Sequence, residues 1–426
     1  MSEILAILFI VFFLGIAHRH FQLALALIIF LLPSYLWRLD FFGFPSTVLE
    51  LMILSLFIFW LAKDAKWERI NYFWQNPNIN PLDKKLKYLL AAWLIISVVA
   101  LLVNFNMSAL GLWRAYFLES LMFFLLFVYN FKRNKDLRII FWALAGLIFY
   151  LACICLWQYF SAWNLPAAYN LPNIKRLTGP FSYPNALALL IAPISAFLFA
   201  LSFKIKNRGE RIVYLLVSVA GLLVVLAAHS EGALIALALA ILIFIFCKIK
   251  QKIYQAILLA GGFFVLFFSP VKIYFTQAFH DLFWPTASHF TSSLAVRGLQ
   301  WQETISLLKD HFFFGAGLNH YQILMAQYHQ ITWLEIFLYP HNIFLNFWVE
   351  LGLFGLLVFI FLVFYIIQAL KKLFVKKHLL AWPLTLFFIT WITHGLVDVP
   401  YFKNDLSVLF FIFLGLLVIA QNNDQT

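Results

Sequence analysis

Six side chains in this sequence join reactive chemistry to an unusual setting: His341, Arg297, Arg176, Asn342, Asn346 and Glu350. His341 follows Tyr339 and Pro340 at the mouth of a long apolar run, and proline favours the first turn of a helix. An imidazole at a positive helix end tends to stay neutral, as a general base must, and the free N–H groups of that turn can bind phosphate. Asn342, Asn346 and Glu350 follow one another at intervals of four and line one stripe of the helix. Polar groups inside an apolar span cost free energy and are usually kept for a function. An interfacial histidine above ordinary helix–helix hydrogen bonds fits the same residues, and spacing alone leaves the two readings level.

Arg297 shares a helical face with Trp301, Thr304, Ile305 and Leu308, while Gln300, Glu303 and Lys309 are directed elsewhere. The expectation is a short amphipathic helix lying on the membrane surface. Arg297 would then either face the protein and hold an anion, or pair with lipid headgroups. Arg176 stands before the Gly179-Pro180 turn and the Pro184-Asn185 helix opening, either as a second anion-binding cation or as a solvated surface arginine. Metal chemistry has little support. His280, His289, His311, His320 and His329 lack the helical His/carboxylate spacing of a zinc site, and no outer loop carries a paired Asp-x-Asp. Gly315-Ala316-Gly317 has no preceding strand, so a turn explains it better than a nucleotide loop. No metal and no cofactor is called for.

The chain that positions these residues is mostly hydrocarbon. Of its 426 residues, 64% are hydrophobic and 11% charged, with mean hydropathy +0.91. A soluble domain carries about 25% charge, so the solvent here must be lipid. Apolar runs near 46–62, 88–103, 113–131, 139–159, 185–203, 212–228, 232–247, 253–269, 343–369, 379–397 and 406–420, with one or two more in 4–36, give twelve or thirteen spans. The fold class expected is an all-α polytopic bundle: one integral membrane domain over 1–426, with a large 270–340 loop holding the amphipathic helix. The net charge of +12 does not indicate nucleic acid, because Lys and Arg cluster in alternate short loops, the positive-inside pattern. That pattern puts the 370–378 cluster in the cytoplasm and the 270–340 loop outside. Cys153, Cys155 and Cys247 lie in apolar runs and form no disulfide framework. Residues 4–17 lack a basic leader and a cleavage pattern, and are expected to be a retained helix rather than a signal peptide.

Three stretches, taken together, resemble the O-antigen ligase and polymerase family of bacterial envelope proteins. They are Arg297 to Tyr321 (RGLQWQETISLLKDHFFFGAGLNHY), His341 to Gly355 (HNIFLNFWVELGLFG) and Thr178 to Pro193 (TGPFSYPNALALLIAP), with a similar look in HGLVDVPYFKNDLSVLFF near the end. The resemblance spans 176–410. One departure is Ser230-Glu231-Gly232, where members often show Ser-Arg-Gly. The resemblance implies a glycosyltransferase of the bacterial inner membrane with its active site facing the periplasm. Its donor would be an undecaprenyl-diphosphate-linked glycan and its acceptor a hydroxyl of lipid A-core or a similar envelope glycolipid or saccharide. Membrane lipid would be a partner, and nucleic acid would not. Arg297 and Arg176 would then stabilise the leaving diphosphate, His341 would deprotonate the acceptor, and Asn342, Asn346 and Glu350 would contact substrate, with inversion and without metal. A polymerase or a protein O-oligosaccharyltransferase uses the same donor and fits equally. A transporter or flippase is the alternative of another class; such proteins show repeats and midplane polar sites, whereas polar residues here gather at one face.

Overall fold

A computed structural model describes residues 2–41, 43–64, 82–131, 134–171, 174–255, 280, 293–330 and 334–422. The protein is an all-α polytopic helical protein. In chain order, α1 (Ser2–Arg19), α2 (Phe21–Phe30) and α3 (Val48–Asp64) precede α4 (Lys84–Val103), α5 (Met107–Asn130), α6 (Arg138–Ser161), α7 (Pro184–Ser202), α8 (Arg208–Ala227) and α9 (Glu231–Lys248). Then come α10 (Ser293–Asp310), α11 (Tyr321–Met325), α12 (Ile343–Val375), α13 (Ala381–Gly395) and α14 (Asn404–Asn422). Sheet among the described residues is confined to two short antiparallel hairpins, β1 (Arg38–Phe41) with β2 (Phe44–Thr47), and β3 (Asn170–Leu171) with β4 (Ile174–Lys175).

Among the described residues eight helices are long and apolar enough to cross a membrane: α4 to α9, α12 and α14. The twelve or thirteen expected spans are therefore not all matched, for identifiable reasons. Polar His18, Arg19 and His20 split 4–36 into α1 and α2, and Pro33 then turns the chain into a short 3₁₀ segment, Leu32–Leu36. The runs at 46–62 and 379–397 give shorter helices, α3 and α13, and most of 253–269 lies outside the described residues.

Local signals set the helix starts. Asp83 caps α4 through Leu86 N–H (2.8 Å), Asn207 caps α8 through Glu210 N–H (3.0 Å), and Pro184 opens α7. The spans α7 and α14 are 89% buried, against 28–50% for the other seven-turn-or-shorter outer helices α4, α5, α6, α8 and α9, so these two form the centre of the bundle. A helix apolar all round belongs in such a position. Phe197 of α7 meets Phe413 of α14 edge-on at 5.0 Å, joining the two. The outer helices leave Ile95, Leu216, Leu223 and Phe361 exposed, as a lipid-facing surface requires.

Two irregularities shape the end of the bundle where the long loop packs. Gly352 breaks α12 with φ 73° and ψ −178°, freeing backbone groups on either side. The turn after α10 fills the gap: Ala316 N–H donates to Val349 C=O (2.7 Å) and Leu353 N–H donates to Phe313 C=O (3.0 Å). Gly315, at φ 64°, leaves no space for a Cβ, which would collide with the Val349 and Trp348 carbonyls. The Gly-x-Gly thus serves as the expected turn, and its role is to splice the loop into the broken helix. In α5, residues Arg114–Glu119 form a wide π turn. Arg114 there pairs with Glu50 (2.6 Å) and Glu119 (2.9 Å), and Asn404 donates to Glu50 (2.8 Å), tying α3, α5 and α14 together.

Candidate functional site

The amphipathic helix α10 is clamped to the segment before α12. Gln300 Nε2 donates to Tyr339 C=O (2.7 Å) and Trp301 Nε1 donates to Pro340 C=O (2.8 Å). Two assignments of the helical face need correction. Gln300 is buried and faces the protein, while Ile305 is exposed, because a residue three positions after Arg297 lies on its face of the helix and one eight positions on falls at the edge of that face. Thr304 and Leu308 are buried as expected, and Thr304 Oγ1 lies 2.8 Å from the Tyr321 hydroxyl.

This clamp fixes His341 beside α10. The helix start also differs from expectation: α12 begins at Ile343 with Asn342 as its cap, and His341 stands one residue earlier at φ 45°. It is thus outside the first turn, and Pro340 does not open the helix. The imidazole rests against Phe337 and Tyr339 with ring centroids 5.1 and 5.0 Å away, and its Nδ1 is buried with no partner among the described residues. Burial pushes the imidazole below its usual range, opposed by the Asp398 charge and assisted by Arg297.

Arg297 donates through Nη1 to Ser293 C=O (3.2 Å) and Ser293 Oγ (3.1 Å), while its buried Nε has no partner among the described residues. Burial lowers its proton affinity and the nearby Asp398 and Glu231 carboxylates raise it. Ser293 Oγ also donates to Glu231 (3.4 Å), so the acid in the Ser-Glu-Gly triplet reaches the hydroxyl that Arg297 holds. Residues singled out less sharply by sequence complete the surroundings. Asp398, buried in the loop after α13, accepts from Asn185 Nδ2 (3.1 Å) and Val399 N–H (2.8 Å). Tyr183 and Tyr339 hydroxyls lie 3.0 Å apart. His394 is buried against Gly232, where a Cβ would press on its ring at 3.1 Å.

Residues 215–360 match the O-antigen ligase family. The match covers 146 of the 426 residues and supports membership of the O-antigen ligase and polymerase family. No curated protein matches the chain. The matched stretch runs from α8 into α12 and contains Glu231, Arg297, His341, Asn342, Asn346 and Glu350. The function of this O-antigen ligase domain is of the ligase/polymerase type, and eight apolar helices make the chain a multi-pass membrane protein.

The remaining expected residues have positions of their own. Asn342 Oδ1 accepts from Phe344 and Leu345 N–H (3.0 and 3.1 Å), and its Nδ2 donates to Leu396 C=O (2.9 Å). Glu350 accepts from Asn319 N–H (2.8 Å) just past the Gly-x-Gly turn. Asn346, between them, is buried with Oδ1 unpartnered among the described residues. Asn342 and Glu350 therefore brace the loop–helix joint, and Asn346 is the one with a free polar atom. Arg176 lies over the end of α8, donating to Ala228 and His229 C=O at 3.3 Å each. A guanidinium at a helix C-terminus offsets the negative dipole end. His329 is held by Glu303 (3.1 Å) and Leu334 C=O (2.8 Å), and His289 lies outside the described residues.

Sequence reasoning did not assign roles to Asp398, His394, Asn185 or Tyr183, although all four fall in the stretches that resembled the family. The available signal was a carboxylate directly following an apolar run, at Val397-Asp398-Val399. Only the packing of α7, α9 and α13 brings them to Arg297 and His341.

Proposed function

We propose that the chain is a glycosyltransferase that moves a glycan from an undecaprenyl-diphosphate carrier to an acceptor hydroxyl of an envelope glycolipid or saccharide, at the periplasmic face of the bacterial inner membrane. The observation that carries this reading is the pairing of two unsatisfied groups, Arg297 Nε and His341 Nδ1, on segments clamped together by Gln300 and Trp301. Buried polar atoms without partners are uncommon and costly, and a ligand is one way to satisfy them. Arg297 is the group suited to the leaving diphosphate, since a guanidinium meets phosphate oxygens with a fixed fork of donors. His341, kept neutral by burial, accepts the proton of the acceptor hydroxyl as that oxygen attacks the anomeric carbon. The carbon–oxygen bond to diphosphate breaks as the new glycosidic bond forms, so the configuration inverts. Charge stabilisation comes from protein cations and requires no metal.

The test uses purified protein with a carrier-linked glycan, scoring free undecaprenyl diphosphate with and without candidate acceptors. Release that depends on an acceptor hydroxyl, and that persists in EDTA, is the expected result. Movement of the intact carrier-linked glycan across vesicles without release of diphosphate would replace this reading with transport. Loss of turnover in EDTA, restored by magnesium or manganese, would overturn the metal-free route.

A further inference from the structure

The pole of the bundle remote from this site holds a basic cavity that the proposed reaction does not use. It lies between the start of α4 and the far ends of α12 and α14, and its volume is about 260 Å³. From Ile343 to Lys372 the chain runs along thirty residues of α12, at most about 45 Å at 1.5 Å per residue given the break at Gly352. Lys84, Lys85 and Lys372 line the cavity together with Asp83, Tyr365 and Gln421.

The lining favours an anion. Asp83 is its one carboxylate, and both oxygens are engaged: Oδ1 caps Leu86 N–H (2.8 Å) and Oδ2 accepts from the Tyr365 hydroxyl (3.1 Å). Against it stand three ammonium groups, none held by a carboxylate or carbonyl among the described residues. Gln421 Oε1 faces the Tyr365 hydroxyl at 3.3 Å, while its Nε2 is buried with no acceptor among the described residues. The positive start of α4, a 20-residue helix, opens at the same place. Three cations, one unsatisfied amide donor and a helix start converge on a space that a phosphate group fits. The cavity sits at the ends of three membrane-spanning helices, the depth at which lipid headgroups lie, and basic pockets between spans suit anionic headgroups.

We infer that this cavity is a binding site for a phosphate group, supplied by an anionic phospholipid of the adjacent leaflet. Phosphate is the recognised chemistry, and the lipid tail would lie along the exposed apolar surface of the spans.

Native mass spectrometry of the intact chain in detergent, titrated with phosphatidylglycerol, phosphatidylcholine and inorganic phosphate, tests it. The wild type is expected to retain one phosphatidylglycerol and to discriminate against phosphatidylcholine. The triple variant K84Q/K85Q/K372Q is expected to bind it about a hundredfold more weakly, as three near-surface lysines at roughly fivefold each imply. Gln421→Leu is expected to weaken it several-fold without a change of charge. A control, K204Q/K206Q/R208Q, removes a basic cluster elsewhere and is expected to leave binding intact. All variants change exposed side chains or one amide, and a monodisperse elution profile with unchanged Tm in neutral lipid checks their folding. Saturation by inorganic phosphate with no lipid retained would assign the site to free phosphate. Equal retention in wild type and triple variant, or equal loss in the control, would overturn the site and leave the lysines as a diffuse basic surface.

Discussion

Burial lowers the proton affinity of His341, the Arg297 guanidinium lowers it further, and Asp398 pulls the other way. A neutral base works above its pKa, so turnover should fall as pH drops through a value below the ordinary imidazole range near 6.5. Asp398→Asn removes the opposing charge and is expected to move that acid limb to still lower pH, which a pH–rate profile reads directly. His341→Gln keeps shape and hydrogen bonding but takes no proton near neutrality, and should cost at least about a hundredfold in turnover. Wild-type turnover in that variant would reduce His341 to a positioning residue. For Arg297, alanine is expected to abolish transfer in a folded protein, and lysine to restore only part, because an ammonium cannot reproduce a bidentate fork. Full activity in Arg297→Ala would return the residue to a role against lipid headgroups.

Two joints hold these side chains in place. The first is the splice of the Gly-x-Gly turn into broken α12, where Gly315 and Gly352 take positive φ against neighbouring backbone carbonyls. Alanine at Gly352 would collide with Phe313 C=O in a conformation that L residues rarely adopt. Gly352→Ala is expected to cost more than the roughly 1–3 kcal/mol of backbone strain alone, seen as a lowered Tm in detergent. An unchanged Tm would mean that the break in α12 does not depend on glycine. The second joint is the Glu50–Arg114–Glu119 group around the π turn of α5. Removing Arg114 leaves two buried carboxylates facing each other, so Arg114→Ala should destabilise by about 3–5 kcal/mol. The comparison is made by denaturant or thermal unfolding against Arg176→Ala, whose guanidinium meets two carbonyls and an aromatic ring among the described residues and should cost far less.

Charge gives an expectation for the orientation of the bundle. The loop carrying α10 is expected outside and the 370–378 basic cluster inside, from the alternation of Lys and Arg between loops. In a chain with Cys153, Cys155 and Cys247 replaced by serine, a cysteine at exposed Ser306 should react with an impermeant thiol reagent in intact spheroplasts, and one at Lys377 only after lysis. The reverse pattern would invert the bundle and move the candidate site to the other face.

Composition and apolar run length decide the class of this molecule, because a chain 64% hydrophobic has to bury its surface in lipid, where the backbone is satisfied only in helices or closed barrels, and unbroken apolar runs of this length fit helices. The positions of α4 to α9, α12 and α14 were legible for that reason, His341 stood out as a polar residue at the mouth of an apolar run, and Arg297 as a cation on an amphipathic helix. Their number was less legible, since the breaks at His20 and Pro33 and the short lengths of α3 and α13 depend on what packs beside them. Gln300, three residues after Arg297, shares its helical face by period, but only the packing shows that it is the side chain that holds Tyr339 C=O. Asn342 and Glu350 keep their stripe but are taken up by the joint between loop and helix. Asp398, Asn185 and Glu231 come from three distant parts of the chain, and no local pattern couples them to Arg297. Their meeting is a property of the packed bundle, because a charge is felt over a few ångströms of space regardless of how far apart its partners lie in sequence.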